Sequence, residues 1–410
     1  MNKRLLAITL GILTAVGGFV DIGDLVESSV VGARYGMAML WVTVLGVVGI
    51  CVYADMSGRI AAVTGRPVFD LIRERLGPRV ALLNLAGSFL VTLLTVSAEI
   101  GGIAIAIELA SSVDRLIWVL PAGAAVWLVI WRVKFQKMEQ GFGLAGLAIG
   151  VFAVALFVLE PDWSALGAQA AALGPPADEA IPTYAYHTIA LFASAMTPYE
   201  VFFFSSGGVE ERWSTKDLPV QRTNVFLGFP LGGLLALGVM ACAATVLYPA
   251  GIDVGHVSQL VMPVAVALGT AGVVVALIGV FATTFGAALE SGLSSGYILA
   301  QYFGWEWGKQ RPPRGAARFH IAVAVSLLLA VVLVQTGIDP IALTETSLIF
   351  SAIALPLTYL PVLLVANDRE YLGKHANGRF SNVLGVGMLI VIVVAAVAAV
   401  PVMIATGAGQ

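Results

Sequence analysis

Apolar stretches of about 20 residues recur along the whole chain, and about 20 apolar residues in a helix cross the hydrocarbon of a bilayer. This feature constrains the fold more than any other. Hydrophobic residues make up 59% of the 410 positions and charged residues only 11%, which is about half the charge density of a soluble protein. The chain therefore predicts one all-α polytopic membrane domain over residues 1–410, without a soluble domain.

Eleven spanning segments are predicted, and the distribution of basic residues supports that count. With eleven spans, all 22 basic residues except Arg34 and Arg115 fall on one side of the membrane. By the positive-inside rule that side is cytoplasmic, which puts the N-terminus inside and the C-terminus outside. The basic, apolar N-terminus resembles a signal peptide but lacks a clean cleavage site, so we read it as a retained first helix. The predicted segments are 5–33, 36–62, 80–111, 115–132, 139–159, 184–208, 220–248, 262–302, 316–336, 341–367 and 383–405.

The longest outside loop, about 160–183, separates segments 1–5 from segments 6–10. An odd number of helices in each half makes the halves inverted copies, which is an architecture of many transporters. The predicted halves are about 1–160 and 184–367, with an extra helix at about 383–405. We expect a monomer in the plasma membrane that contacts lipid and binds no nucleic acid.

Nine acidic residues lie at membrane depth, where a charge costs at least about 2.5 kcal/mol. Each of them needs water, a partner or an ion. Glu27, Asp55 and Glu108 fit a position near the interface or at a helix end equally well. The other six are Asp21, Asp24, Glu99, Glu200, Glu290 and Glu345.

Two segments, one in each half, are interrupted in mid-membrane. Segment 1 reads GGFVDIGDLVESS, where glycines beside Asp21 and Asp24 make a poor continuous helix. Segment 6 reads ASAMTPYEVFFFSSGG, where Pro198 removes a backbone donor and frees carbonyls around residue 194. Paired interruptions with nearby carboxylates, Glu200 included, indicate a cation site. The structural alternative is a proline kink with a glycine packing face.

The sequence resembles the NRAMP family of proton-coupled divalent metal transporters over nearly its whole length. The family's first-helix D-P-G-N motif matches DIGD at 21–24, and PYEVFFFSS at 198–206 follows its sixth-helix M-P-H-N motif. RIAAVTGRPVFDLIRERLG at 59–77, AEIGGIAIAIEL at 98–109 and DREYLGKHANGR at 368–379 resemble its second cytoplasmic link, third helix and tenth-helix exit. The resemblance implies a LeuT-like fold, here a 5+5 inverted repeat with an eleventh helix.

The resemblance also implies a metal site made by the two interrupted helices. The family's metal-binding methionine falls at Thr197, and Met196 is displaced by one position. A shift of one residue rotates a side chain by about 100° around a helix, so we do not expect Met196 to replace that ligand. The implied ligands are the side chains of Asp21, Asp24, Thr197 and Glu200 and the backbone carbonyls of Gly18 and Ser194.

These departures from the family pattern favour a hard cation. Aspartate and glutamate stand at Asp24 and Glu200, where the two motifs have asparagine. A soft thioether favours Mn, Fe, Cu or Cd, whereas hydroxyl and carboxylate oxygens suit Mg²⁺. Magnesium keeps several waters and is held by one or two carboxylates. We therefore favour Mg²⁺ as the transported ion, with Mn²⁺ next, and expect no resident cofactor.

The residues that the family uses for proton coupling also differ. Its third-helix aspartate aligns with Val96, and its two sixth-helix histidines align with Tyr199 and Phe204. None of the four histidines lies at either position, so we expect no histidine relay in segment 6. Coupling would depend on Asp21 and Glu99, and its loss is equally consistent. Glu99 fits the role of a structural partner for a backbone break equally well.

Segment 10 holds one further candidate. The position of a polar ligand in the family is Leu348 here, and Glu345 lies beside it. We treat Glu345 as a candidate residue of the outer path.

The sequence also bears on other function classes. An ordinary Mn²⁺/Fe²⁺ proton symporter and an organic-solute carrier on the same fold are the transporter alternatives, although acids in the site disfavour a zwitterion. No H-E-x-x-H or G-x-S-x-G motif lies in a membrane segment, so we do not expect an enzyme. A metal sensor remains open, and paired broken helices favour a carrier over a channel.

Overall fold

The computed structural model of the chain describes residues 20–172, 174–176 and 179–407, where the regular elements are α-helices and two short 3₁₀ helices. Ten of the described spans are long and apolar enough to cross a membrane. They coincide with predicted segments 2–11, which confirms that part of the prediction. Of the first predicted segment, only residues from 20 onward are described.

The first half of the chain contains α1 (Ile22–Tyr35), α2 (Leu40–Thr64), α3 (Val68–Leu76), α4 (Pro78–Ser111), α5 (Arg115–Arg132), α6 (Phe135–Gly146), α7 (Val151–Val158) and α8 (Trp163–Ala171). The second half contains α9 (Ile181–Ser194), α10 (Pro198–Glu210), α11 (Leu218–Ala250), α12 (Val257–Leu260), α13 (Met262–Phe303), α14 (Ala317–Gln335), α15 (Pro340–Ala366), α16 (Arg369–Leu372) and α17 (Arg379–Thr406).

The long helices are apolar around their whole circumference, as helices in a bilayer are. The last helix, α17, shows this most clearly, since Val383, Val397 and Ile404 are each at least 71% exposed. Polar side chains are instead buried between helices. The 42-residue α13 is interrupted at Gly269, whose φ of 61° and ψ of −155° are not helical.

The two interrupted segments lie at the centre of this packing. Helices α4 and α13 pack along each other, and α15 packs against α4 and α17. Helix α1 lies on α11 and contacts α9, and α10 lies between α2 and α13. The start of α1 and the break between α9 and α10 are therefore surrounded by α4, α13 and α15.

Contacts within the protein account for two of the acids. Asp55 lies 3.5 Å from Arg59 and 3.1 Å from Arg222. Glu108 accepts a hydrogen bond from the backbone N–H of Arg115, 3.2 Å away, across the short link between α4 and α5. Since both acids have partners in the protein, neither needs a bound ion.

Candidate metal site

Helix α1 begins at one of the predicted ligands. Asp21 is the N-cap residue of α1, with extended backbone angles (φ −105°, ψ −177°), and its carboxylate accepts a hydrogen bond from Asp24 N at 3.0 Å. The free amides and the dipole of a helix N-terminus favour a negative charge there. Gly23 and Asp24 belong to the first turn of α1, and the described residues before Ile22 are not helical.

The second interruption lies where the proline predicted it. Helix α9 ends at Ser194 and α10 begins at Pro198, with Thr197 as its N-cap residue. Because Pro198 has no N–H, the Ser194 carbonyl has no donor four residues on. The Ser194 hydroxyl donates to Asp24 Oδ1 at 2.8 Å, so the break faces the first turn of α1.

Two further acids border this junction. Glu99 of α4 accepts a hydrogen bond from Ile22 N at 3.1 Å and thereby caps α1 from another helix. This contact supports the structural interpretation of Glu99. Glu200, in the first turn of α10, is 5% exposed. Tyr199, the next residue before Glu200, acts on the carboxylate of Asp21.

Several oxygens at the junction lack hydrogen-bond partners among the described residues. They are Asp24 Oδ2, Glu99 Oε2, Thr197 Oγ1 and both carboxylate oxygens of Glu200. Their residues are at most 5% exposed. A buried carboxylate oxygen without a partner is costly, so this arrangement requires cations, protons or water to stabilise it.

The carboxylates repel one another across the junction. Asp21 acts electrostatically on Asp24, Glu99 and Glu200. Within the described part of the chain, however, no three His, Cys, Asp or Glu side chains are grouped closely enough to hold a metal ion. The junction thus combines carboxylates that are not closely grouped with the hydroxyl and carbonyl oxygens of the two helix ends.

Met196 and Thr197 are the two candidates for the position of the family's metal-binding methionine, and their side chains lie in different surroundings. Met196 Sδ lies 2.5 Å from where a Cβ on Gly49 would be, and the methyl group of Met388 lies 2.7 Å from that same point. The thioether therefore packs between α2 and α17. Thr197 Oγ1, in contrast, is buried at the break without a partner among the described residues.

Leu348 covers the start of α1. Leu348 Cδ2 lies 3.0 Å from where a Cβ on Gly23 would be. Any residue larger than glycine at position 23 would therefore displace the Leu348 side chain. The predicted carbonyl ligand Gly18 lies outside the described residues.

A second polar cluster was missed from the sequence. His187 Nδ1 lies 2.9 Å from Glu27 Oε1, and both residues are buried, at 6% and 0% exposure. Glu345 acts electrostatically on both of them and is hydrogen-bonded to Tyr186. Glu27 therefore has a partner within the protein, and segment 6 contains a buried histidine that pairs with a carboxylate, although not at the family's positions.

One signal in the sequence could have indicated this cluster. Glu27 lies three residues after Asp24, and His187 lies seven residues before Ser194. Both spacings keep each pair on one face of its helix. Asp24 and Ser194 were already predicted to lie at the same site. Glu27, one turn from Asp24, and His187, two turns from Ser194, were therefore candidates for a contact as well.

Comparison with known proteins gives consistent matches. Residues 11–401 match the family described as natural resistance-associated macrophage protein-like (Nramp). The divalent metal cation transporter MntH of Deinococcus radiodurans is 23% identical over 92% of this chain and 85% of its own length. The corresponding protein of Pectobacterium carotovorum is 24% identical over 92% of this chain and 89% of its own.

Solved structures show the same fold. A point mutant of the manganese transporter of Eremococcus coleocola aligns over 96% of this chain and 85% of its own, with a TM-score of 0.77 and 18% identity. MhsT in complex with L-phenylalanine aligns over 96% of this chain and 97% of its own, with a TM-score of 0.65 and 16% identity. At these identities the likeness shows the LeuT-like fold alone.

Proposed function

Because this chain belongs to the Nramp family of divalent metal cation transporters, we propose that it carries Mg²⁺, and Mn²⁺ less favourably, by alternating access through the junction of α1, α9 and α10. The ligands are Asp21, Asp24, Thr197 and Glu200, together with the carbonyls of Ser194 and Gly18. A multi-pass monomer in the plasma membrane with a cytoplasmic N-terminus fits the distribution of its basic loops.

One observation carries the preference for magnesium. The oxygen at the break, Thr197 Oγ1, lacks a partner among the described residues, whereas the nearest thioether, Met196, packs against Gly49 and Met388. The donors left at the junction are all oxygens, which suit a hard cation. Mg²⁺ is usually held by one or two carboxylates and keeps several waters, so Asp21, Asp24 and Glu200 need not all bind the ion at once.

The fold supports a carrier in which two halves alternate. The breaks occur in the first and sixth predicted segments, which are corresponding positions in halves at about 1–160 and 184–367, and the helix at about 383–405 is additional. The hydrogen bond from Ser194 to Asp24 joins the two breaks directly. An ion bound between them contacts both halves, and alternating access requires this.

Proton coupling is weakened or lost in this proposal. Val96, Tyr199 and Phe204 occupy the positions at which the family has its aspartate and two histidines. Glu99 remains, but one of its oxygens caps α1. Any coupling that this chain keeps would depend on Asp21 and Glu99, and complete loss of coupling is equally consistent.

Two alternatives have specific support. The name of the Eremococcus coleocola manganese transporter favours Mn²⁺ as the ion, which fits the alternative of a Mn²⁺/Fe²⁺ proton symporter. MhsT, which was solved in complex with L-phenylalanine, has the same fold. This likeness supports an organic-solute carrier as the second alternative. The acids of the junction argue against an anionic or zwitterionic substrate.

Metal uptake by the purified protein in liposomes tests the proposal, with internal pH recorded and the Asp24→Ala variant as the inactive control. We expect saturable Mg²⁺ entry that Mn²⁺ inhibits, with no pH change. Mn²⁺ entry with acidification and no effect of millimolar Mg²⁺ would instead establish the manganese symporter. Flux of neither ion would favour the organic-solute carrier.

A further inference from the structure

A row of polar contacts joins α10 to α13 below the candidate metal site. On α13 the polar residues recur at spacings of four, three and four, which keeps them on one face of the helix. Their contacts on α10 are Ser294 Oγ with Tyr199 O at 3.3 Å, Tyr297 Oη with Glu210 Oε1 at 3.2 Å, and Gln301 Nε2 with Ser206 Oγ at 2.9 Å. We call this row the α10–α13 seam; its fourth residue on α13 is Glu290.

Glu290 is the unexplained residue of the seam. It is 8% exposed and makes no hydrogen bond or ion pair with any residue in the described ranges. It lies one turn before Ser294, which is bonded to the carbonyl of Tyr199, the residue next to Glu200. The contacts Ser294–Tyr199 and Gln301–Ser206 place Glu290 at the level of the break between α9 and α10, and Glu290 acts electrostatically on Tyr199 and Glu200.

The Glu200–Glu290 pair has the properties of a cation site. Both Glu200 oxygens are buried and lack partners within the described residues, and two like charges that act on each other in a membrane interior are unfavourable without a counter-ion. Two carboxylates with retained water are the usual ligands of Mg²⁺ in proteins. The seam leads from this pair to Glu210, the last residue of α10, next to a loop whose basic residues predict the cytoplasmic side.

We propose that Glu200 and Glu290 form a second subsite for a partly hydrated divalent cation, through which the ion passes between the Asp21–Asp24 junction and the α10–α13 seam. This inference depends on the proposed metal transport, and it gives Glu200 a role in both subsites. The contacts along the seam are hydrogen bonds from serine, tyrosine and glutamine side chains. When α10 and α13 part, water can replace these contacts, and the passage remains polar.

The test compares Glu290→Gln with wild type and with Glu108→Gln, a glutamate of α4 that caps a loop outside the seam. The first measurement is equilibrium Mn²⁺ binding to the purified protein, followed by electron paramagnetic resonance. We expect wild type and Glu108→Gln to bind a second equivalent of Mn²⁺ that Glu290→Gln lacks or binds at least about tenfold more weakly. The second measurement is uptake into liposomes, where we expect the maximal rate of Glu290→Gln to fall about tenfold with little change in the half-saturating concentration.

Equal Mn²⁺ stoichiometry and equal flux in Glu290→Gln and wild type would overturn the subsite, because a protonated, purely structural Glu290 is well replaced by glutamine. If Glu290→Gln does not fold, Glu290→Asp is tested in its place. Weaker binding of the second equivalent of Mn²⁺ by Glu290→Asp supports the subsite, and binding equal to that of wild type overturns it. Failure of the proposed function looks different, since wild-type protein would then transport neither Mg²⁺ nor Mn²⁺.

Discussion

The imidazole of His187 in α9 lies 2.9 Å from the carboxylate of Glu27 in α1, and this pair is buried between the two helices that meet at the candidate metal site. Helix α15 brings Glu345 to the same place. The three helices that carry Asp24, Ser194 and Leu348 are thus joined again, one or two turns away, by a polar cluster that holds α9 and α15 against α1.

We expect His187→Ala to destabilise the protein by about 3 kcal/mol, because it leaves the Glu27 carboxylate buried without its partner. Thermal unfolding in detergent, followed by tryptophan fluorescence, measures this as a lower midpoint. The double variant Glu27→Gln/His187→Ala should unfold at a higher temperature than His187→Ala alone, since it no longer buries an unpaired carboxylate. A His187→Ala midpoint equal to that of wild type would contradict a stabilising pair.

Asp21 has two roles that substitutions can separate. Asp21→Asn keeps an oxygen that can accept the hydrogen bond from Asp24 N but removes the negative charge. We expect Mg²⁺ uptake to fall about 100-fold with little change in the unfolding midpoint. Asp21→Ala should lose the same flux and about 1 kcal/mol of stability in addition, because the helix cap is removed.

The matched control is Asp114→Asn. Asp114 also caps a helix, with its carboxylate 2.8 Å from Leu116 N, but it lies in an exposed link. Full uptake by Asp21→Asn, or an equal loss in Asp114→Asn, would argue against Asp21 as a metal ligand.

Thr197→Met places a thioether at the break between α9 and α10. Since soft ligands favour soft ions, we expect the uptake of Cd²⁺ relative to Mg²⁺ to rise about tenfold or more. Met196→Leu is the control, because the Met196 side chain packs against Gly49 and Met388 and should not influence ion choice. If selectivity changed in Met196→Leu but not in Thr197→Met, Met196 rather than Thr197 would be the residue that faces the ion.

Arg34 and Glu179 form a two-point ion pair between α1 and the loop before α9, with N–O distances of 2.9 and 3.1 Å. The hydrogen bonds from Arg34 lower the pKa of Glu179 below its usual value. A group whose pKa is lower in the folded state adds stability above its unfolded pKa and loses it as pH falls through the folded pKa. The stability difference between wild type and Glu179→Gln should be at most about 1 kcal/mol at neutral pH, since the pair is partly exposed.

This difference should shrink as pH falls below about 4.3 and vanish below the folded pKa of Glu179. Unfolding midpoints of wild type and Glu179→Gln, measured in parallel from neutral to acidic pH, provide the check. A difference that is constant over the whole range would mean that the contact does not depend on the charge of Glu179.

The sequence predicted what depends on local chemistry. Hydropathy located the described spans because the bilayer sets helix length, and Pro198 located the end of α9 because it cannot donate a hydrogen bond. The pairing of Glu27 with His187 joins residues 160 positions apart and follows from how α1 packs against α9. The direction of Met196 likewise depends on the space that Gly49 leaves in α2, which no local pattern records.

The cap that Glu99 supplies to α1 has a consequence for how the protein is made. Ile22 N donates to Glu99, a residue 77 positions later in the chain. During synthesis from the N-terminus, α1 reaches the membrane before α4 has been translated. The first turn of α1, which carries Asp24, therefore acquires this acceptor only after the third predicted span has inserted, although Asp21 and Asp24 are among the first residues translated.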